Sequence, residues 1–398
     1  MANETSNDGR DKSSATDPSA TDKSLTVLQV LPSLVSGGVE RGTCDMAAAL
    51  VADGHRALVA SSGGHLVHEI EREGGAHFTL PLKSKRPWII WRNVARLADL
   101  IVREGVDIVH ARSRAPAWSA YLAARRTGRP FVTTVHGPYS GRNALKRAYN
   151  NVMYRGVRVI ATSHFMSDYI RGFVPDIEAE RLVVIPRGVD MAQFRPEMVS
   201  AARKIQLADA WQVPANAPVL LMPGRLSRRK GQKTLIEAMA RTASNDSVAV
   251  FAGNNAGHEA YVLELRALAR HLGVEQRIRF VGNCRDMPAA YSLASAVVST
   301  PSEPESFGRV AVEAQAMGRP VVVSAIGGSR ETVIPGETGW WIEPDDAEGL
   351  TAAIDEMLAL DDAGRAELAE RGLAHVAQNF TKTLMCARTI AIYRELAG

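Results

Sequence analysis

Two carboxylates eight residues apart, Glu305 and Glu313, lie in the run Glu303-Pro-Glu305-Ser-Phe-Gly308-Arg-Val-Ala-Val-Glu313-Ala-Gln-Ala-Met-Gly318-Arg-Pro320. The run reads as a loop over Pro301–Gly308, then a helix, then a return through Gly318 and Pro320 into a strand. Glu305 falls just ahead of the helix N-terminus and Glu313 about two turns inside it. Carboxylates accept hydrogen bonds from sugar hydroxyls, while the amides of Ser306, Phe307 and Gly308, backed by the helix dipole, hold a phosphate. The pair therefore suits a polyol phosphate. Taken singly, Glu305 reads equally as a dipole partner and Glu313 as a solvated helix residue.

A second anion cradle is written as Gly224-Arg225-Leu-Ser-Arg228-Arg229-Lys230-Gly231, between a strand and the helical pattern Gln232–Thr242. Arg225 offers a planar fork to phosphate oxygens and Lys230 a point charge; Arg228 and Arg229 read equally as solvated. Gly231 follows Lys230, so the run is not G-x-x-x-x-G-K-[ST] and this is not the loop of a nucleoside triphosphatase. Near the N-terminus, Gly37-Gly38 separates the first apolar run from a helix, which leaves bare amides facing an anion. The G-x-G-x-x-G of a dinucleotide site is missing there. His136 in Thr133-Thr-Val-His136-Gly137 and His110 both end apolar runs. His65 and His68 lack further ligands nearby and are read as solvated. There is no D-x-D, so no carboxylate-held divalent ion is expected.

The elements that must carry these residues alternate. Short β-branched runs at Leu25–Leu31, Ala57–Ala60, Ile108–His110, Phe131–Val135, Val157–Ala161 and Leu182–Ile185 are separated by amphipathic stretches such as Trp88–Arg103. The same grammar restarts beyond Pro196, with runs at Val219–Met222, Val248–Phe251, Ile278–Val281, Val297–Ser299 and Val321–Val323. Parallel strands covered by helices read this way. The 398 residues divide into a polar tail at 1–24 expected to be disordered, a domain at 25–195 and a domain at 196–380. A terminal helix over 381–396 is expected to cross back onto the first domain.

The net charge of +4 hides an asymmetry, since residues 25–195 carry 23 basic and 14 acidic side chains and residues 196–398 carry 21 and 24. A basic half facing a near-neutral one suggests an anionic partner. Lys83, Lys85, Arg86, Arg92 and Arg96 flank Trp88 and Trp91, and Arg142, Lys146, Arg147 and Arg155 follow at helical spacing. Such helices suit an anionic membrane surface, or equally form a basic solvent face over an aromatic core. No helix-turn-helix, zinc finger or ribonucleoprotein motif points to nucleic acid. With no apolar run of about 18 residues and no apolar leader, the protein is expected on the cytoplasmic side, at most peripheral to the membrane. Cys44, Cys284 and Cys386 form no C-x-x-C pair.

In this order the motifs resemble the retaining GT-B glycosyltransferases of family 4. The marks are Glu305 and Glu313 around Glu-Ser-Phe-Gly, Gly37-Gly38, Gly224-Arg225 with Lys230-Gly231, and Gly327-Gly328 with Glu331. The resemblance implies an α/β protein of two doubly wound, Rossmann-like domains facing a cleft. It further implies a nucleotide-diphosphate sugar held mainly by the second domain and an acceptor hydroxyl held by the first. Transfer would retain the anomeric configuration and need no metal or other cofactor.

Residue by residue, Glu313 resembles the carboxylate at the ribose and Glu305 the one at the donor sugar. Arg225 and Lys230 resemble the pair neutralising the diphosphate, approached by Gly37 and Gly38, and His136 resembles the histidine at the reacting centre. His110 and Arg112 are assigned to the acceptor. The acceptor is expected to be a glycan or lipid-linked glycan of lipopolysaccharide core or cell-surface polysaccharide synthesis. Many relatives carry Asn-Gly-Val-Asp where this chain has Arg187-Gly188-Val189-Asp190; Arg187 either reaches the donor phosphate or pairs with Asp190. A nucleotide-sugar epimerase of the same fold and a non-catalytic sugar-nucleotide binder are the rival readings.

Overall fold

The computed structural model describes residues 24–35, 37–139 and 143–398. The tail expectation for 1–23 and the basic residue Arg142 lie outside them. In chain order the strands are β1 (Thr26–Val30), β2 (Arg56–Ser61), β3 (Ala76–Thr79), β4 (Ile108–Ala111), β5 (Phe131–Val135), β6 (Arg158–Ala161) and β7 (Leu182–Val184). They are followed by β8 (Val219–Pro223), β9 (Val248–Ala252), β10 (Ile278–Gly282), β11 (Ala296–Ser299), β12 (Val321–Ser324) and β13 (Trp340–Ile342). One sheet is ordered β3-β2-β1-β4-β5-β6-β7 and the other β10-β9-β8-β11-β12-β13. Every pairing is parallel.

Most of these strands are largely apolar because helices cover both faces of each sheet, so strict alternation is not needed. Val27, Leu28 and Val30 of β1 are all buried, as are Val297 and Val298 of β11. Two strands, β3 and β13, have no counterpart among the apolar runs of the sequence. Both are sheet edges of three or four residues, only partly buried, and they contain His77 and two tryptophans rather than a β-branched run.

Both sheets reverse their winding between the first and fourth strands of their lobe, β1 beside β4 and β8 beside β11. Ligands of open parallel sheets bind beyond the strand carboxyl ends at that reversal. The loop after β1 holds Gly37-Gly38 and that after β4 holds Arg112; the loop after β8 holds Gly224-Arg225 and that after β11 holds Glu305. Topology alone thus gathers the candidate residues at one level.

Val189 and Phe194 already pack in the second core, ahead of Pro196. Pro196 is the more visible break in the sequence, but the apolar contacts begin before it. There the chain runs beside its own return: the Val189 amide donates to Phe380 and Lys382 to Val189. The helix Lys382–Ala397 then packs on the first lobe, with Cys386, Ile390 and Tyr393 in a cluster with Leu31, Leu50 and Ile108.

Candidate functional site

Three helices that open onto the cleft begin at glycines with no side-chain cap. They are Gly38–Ala52 after Gly37, Gln232–Met239 after Gly231, and Arg309–Ala316 after Gly308. By contrast, Ser200, Asp346, Asp361 and Thr381 each cap a helix through a side-chain oxygen. The first amides of a helix have no partner within it, so an uncapped start leaves donors for a ligand. Gly231 also has a steric reason, since a Cβ there would overlap the Thr300 carbonyl at the end of β11.

The donor loop is braced from below. Gly328 donates its amide to the Glu305 carbonyl at 2.8 Å, and side chains at Gly327 or Gly328 would collide with the Glu305–Ser306 backbone. Phe307 is buried against Phe380, so only its backbone is available to the cleft. Glu305 is ion-paired with Lys230. Both line one cavity of about 750 Å³ with Gly37, Gly38, Arg225 and Arg309, and a neighbouring one of about 540 Å³ with His136, Arg187, Ser306 and Gly308. Arg228 and Arg229 pair instead with Glu264 and Glu303, and Arg225 has no ion pair among the described residues.

Glu313 is only 5% exposed, which removes the reading of a solvated helix residue. One oxygen accepts the Tyr291 hydroxyl at 2.8 Å and the other faces Arg309 Nε at 2.7 Å. A buried carboxylate persists when a cation and a donor both satisfy it. The pairing with Glu313 raises the Arg309 guanidinium above its ordinary pKa, and burial, with the Glu313 charge, pushes the Tyr291 phenol well up. Tyr291 therefore stays a donor. Glu313 lines a cavity of about 410 Å³ with Arg41, Arg187 and Arg309.

His136 follows β5, and its two ring nitrogens are shielded from solvent with no partner among the described residues. Burial first, then the nearby Arg112 and Arg187, hold its pKa well below the ordinary imidazole value. A neutral ring keeps one donor and one acceptor for whatever enters the cleft. Arg112 is 5% exposed and lies under the same floor, lining a small cavity with His136, Thr162 and Arg187.

His110 does not reach the cleft. It is fully buried, its Nδ1 bonded to the Tyr393 hydroxyl at 2.5 Å and its Nε2 to Thr134 Oγ1 at 2.8 Å. With both nitrogens engaged it ties β4 to the returning helix, and the assignment to the acceptor is corrected to a structural one. Asp190 is likewise taken, by Lys382 Nζ at 2.6 Å, so Arg187 is not its partner. Arg187 donates instead to the Gly38 carbonyl.

The lobes also touch through Ser163 and the helix it caps, which no linear motif announced. Ser163, N-cap of the helix His164–Phe173, donates its hydroxyl to the Ser306 carbonyl at 2.7 Å. Glu331 accepts the His164 and Phe165 amides of that same helix at 2.7 and 2.6 Å. A carboxylate from one lobe thus caps a helix of the other. Ser163 was visible only as a capping residue after a strand, and Arg309 only as the i−4 neighbour of Glu313. Tyr291, on another helix, left no local signal.

Two facing Rossmann-like lobes with uncapped helix starts, cations and paired carboxylates between them define a GT-B glycosyltransferase. Comparison with known proteins narrows this: residues 36–193 match Glycosyltransferase Family 4 and residues 204–374 match Glycosyl transferases group 1, and the chain belongs to this family.

Among curated relatives, D-inositol 3-phosphate glycosyltransferase of Saccharomonospora viridis is 32% identical over 310 residues, 73% of this chain and 70% of the relative. The same enzyme of Xylanimonas cellulosilytica is 32% identical over 279 residues, and the match spans 66% of each chain. A solved glycosyltransferase of Rickettsia africae superposes with a TM-score of 0.86 at 36% identity, over 94% of this chain and 98% of that one. Anabaena HepE in complex with UDP and glucose superposes with a TM-score of 0.80 at 25% identity, over 93% and 100%.

Proposed function

We propose that this protein transfers a sugar from a nucleoside-diphosphate sugar to a hydroxyl of a glycan or lipid-linked glycan, with retention of configuration. The observation that carries the reading is the placement of Glu305 and Glu313 on either side of an uncapped helix start, facing Gly37-Gly38 across the cleft. The anomeric carbon–oxygen bond to the diphosphate breaks, the acceptor oxygen bonds to that carbon from the same face, and the acceptor proton passes to the departing diphosphate. Positive charge develops at the sugar beside Glu305, and negative charge develops on the departing diphosphate, where Arg225, Lys230 and the helix N-termini stabilise it. His136 orients groups through its neutral ring. These cations take the place of a divalent ion, so chelators should leave the rate unchanged. UDP is the favoured nucleotide, because HepE is described with UDP and glucose and lies within reach in sequence.

A thermal-shift screen of UDP-glucose, UDP-galactose, UDP-N-acetylglucosamine and GDP-mannose tests the donor, since a bound ligand raises Tm by mass action. If none of these donors shifts the transition, the donor reading fails. Release of free products without an acceptor would favour the epimerase. The anomeric coupling of the product, read by NMR, tests retention.

The acceptor end of the proposal rests on the helix Pro87–Arg103. Trp88 and Trp91 are 60% and 68% exposed, beside Lys85, Arg86 and Arg92 in the sequence, and Leu145 on the basic helix Ala144–Asn150 is 84% exposed. Exposed tryptophans among cations suit the headgroup level of an anionic bilayer, where a lipid-linked precursor of lipopolysaccharide or surface polysaccharide would be met. No helix among the described residues is long and apolar enough to cross a membrane. Co-sedimentation with vesicles containing phosphatidylglycerol should exceed that with phosphatidylcholine alone, and the Trp88→Ala, Trp91→Ala double variant should abolish the difference. Equal binding to both vesicles would remove the membrane part.

A further inference from the structure

We infer that Arg187, in the linker between the lobes, binds the diphosphate of the sugar donor and takes up the charge of the leaving group; this rests on the sugar-nucleotide reading above. The position of the guanidinium is the first reason. The cavity beside Glu313 and the cavity beside Glu305 share two lining residues, Arg187 and Arg309. A nucleotide sugar with its ribose at Glu313 and its sugar at Glu305 must lay the diphosphate where those cavities meet. Arg309 is already neutralised by Glu313 at 2.7 Å. Arg187 has no carboxylate at ion-pairing distance among the described residues, and its one hydrogen bond goes to the Gly38 carbonyl.

The company Arg187 keeps is the second reason. Its guanidinium lies against Gly38, at the positive end of the helix Gly38–Ala52, where a helix dipole disfavours a cation. Arg112 Nη2 and Arg187 Nη2 lie 3.2 and 3.8 Å from the point a Cβ of Gly42 would occupy, so two cations converge on one bare backbone. Burial, with Arg309 and Arg112 adding to it, lowers the Arg187 pKa to about 10, which leaves it charged at neutral pH. Asp45 and Glu313 act on it only at longer range. Like charges packed together without a carboxylate at ion-pairing distance are relieved when an anion arrives, and a diphosphate between the two glutamates supplies that anion.

Calorimetry on the full chain with UDP, GDP, ADP and their monophosphates identifies the nucleotide bound, and the ratio of diphosphate to monophosphate affinity is then measured in variants. Arg187→Gln should lower diphosphate affinity by roughly 10- to 100-fold, as expected for a charge-assisted hydrogen bond, and leave the monophosphate within about threefold. Arg187→Lys should restore part of the ratio, and it is read alone if the Gln variant does not fold. An unchanged ratio in both variants, with Lys230→Ala losing it, overturns the inference and leaves the sugar-nucleotide reading intact. A purely structural role would lower Tm and weaken both nucleotides equally, which also overturns it. A wild-type protein with no preference for any diphosphate overturns both readings together.

Discussion

The two walls of the cleft handle their cations in opposite ways. On the second lobe Arg228, Arg229, Lys230 and Arg309 each face a carboxylate, respectively Glu264, Glu303, Glu305 and Glu313. On the first lobe and its linker, Arg112 and Arg187 converge at Gly42 with no carboxylate at ion-pairing distance among the described residues. Arg225 apart, which has no ion pair among the described residues, the cations of the paired wall must exchange partners to grip a ligand. The unpaired wall carries charge that only a ligand can offset. The difference teaches that net charge is a poor guide to the site: the asymmetry of the sequence is real, but it does not say which cations are paired, and the two at Gly42 are buried guanidinia.

Substitutions on the paired wall should have the largest effect. Lys230→Ala and Glu305→Gln are each expected to lower kcat/KM for transfer by about 100-fold or more, the usual size for losing a group that meets developing charge. Wild-type transfer by both variants would end the assignment of that wall.

Next comes the support beneath it. Tyr291→Phe removes a hydrogen bond to a buried carboxylate, worth about 1.5–3 kcal/mol. The expected outcome is a donor KM raised by roughly 10-fold or more with the acceptor KM held, read from initial rates. An unchanged donor KM would show that Glu313 does not need its second partner.

The contacts between the walls rank third. Glu331→Ala uncaps the helix His164–Phe173 at a cost of about 0.5–2 kcal/mol. Transfer should fall a few-fold, and small-angle scattering should register a larger radius of gyration for the variant if this bond holds the lobes together. A normal rate with an unchanged radius would sever the link between capping and closure.

The smallest effect is on acid stability. Burial depresses the pKa of both His110 and His136, so the unfolded chain takes up protons near pH 6.5 while the folded one does not. Stability is therefore full above about pH 6.5 and declines as pH falls below it. Differential scanning at pH 7.5 and 5.5 should show a smaller drop in Tm for His110→Asn than for the wild-type protein. An equal drop would assign the acid sensitivity elsewhere.

Much of this architecture is written locally. Eleven strands are legible as apolar runs because each is buried on both faces, and β3 and β13 are not because an edge strand needs no such run. Glu305, Glu313, Lys230 and the glycine pairs are legible because a strand–loop–helix turn fixes their spacing. The rest depends on partners far along the chain. His110 and His136 look alike in sequence, each ending a strand, and only Tyr393 separates their roles. Ser163 meets Ser306 across 143 residues, and nothing near either one forecasts the contact.

The bond from His110 to Tyr393 spans 283 positions of the chain. On a ribosome the first lobe emerges early, yet the helix that covers Leu31, Leu50 and Ile108 is translated only after the entire second lobe. Until then an apolar face waits uncovered, and chains that expose such a face during synthesis are prone to aggregate. Synthesis of that helix, rather than formation of either sheet, becomes the event that completes the first lobe.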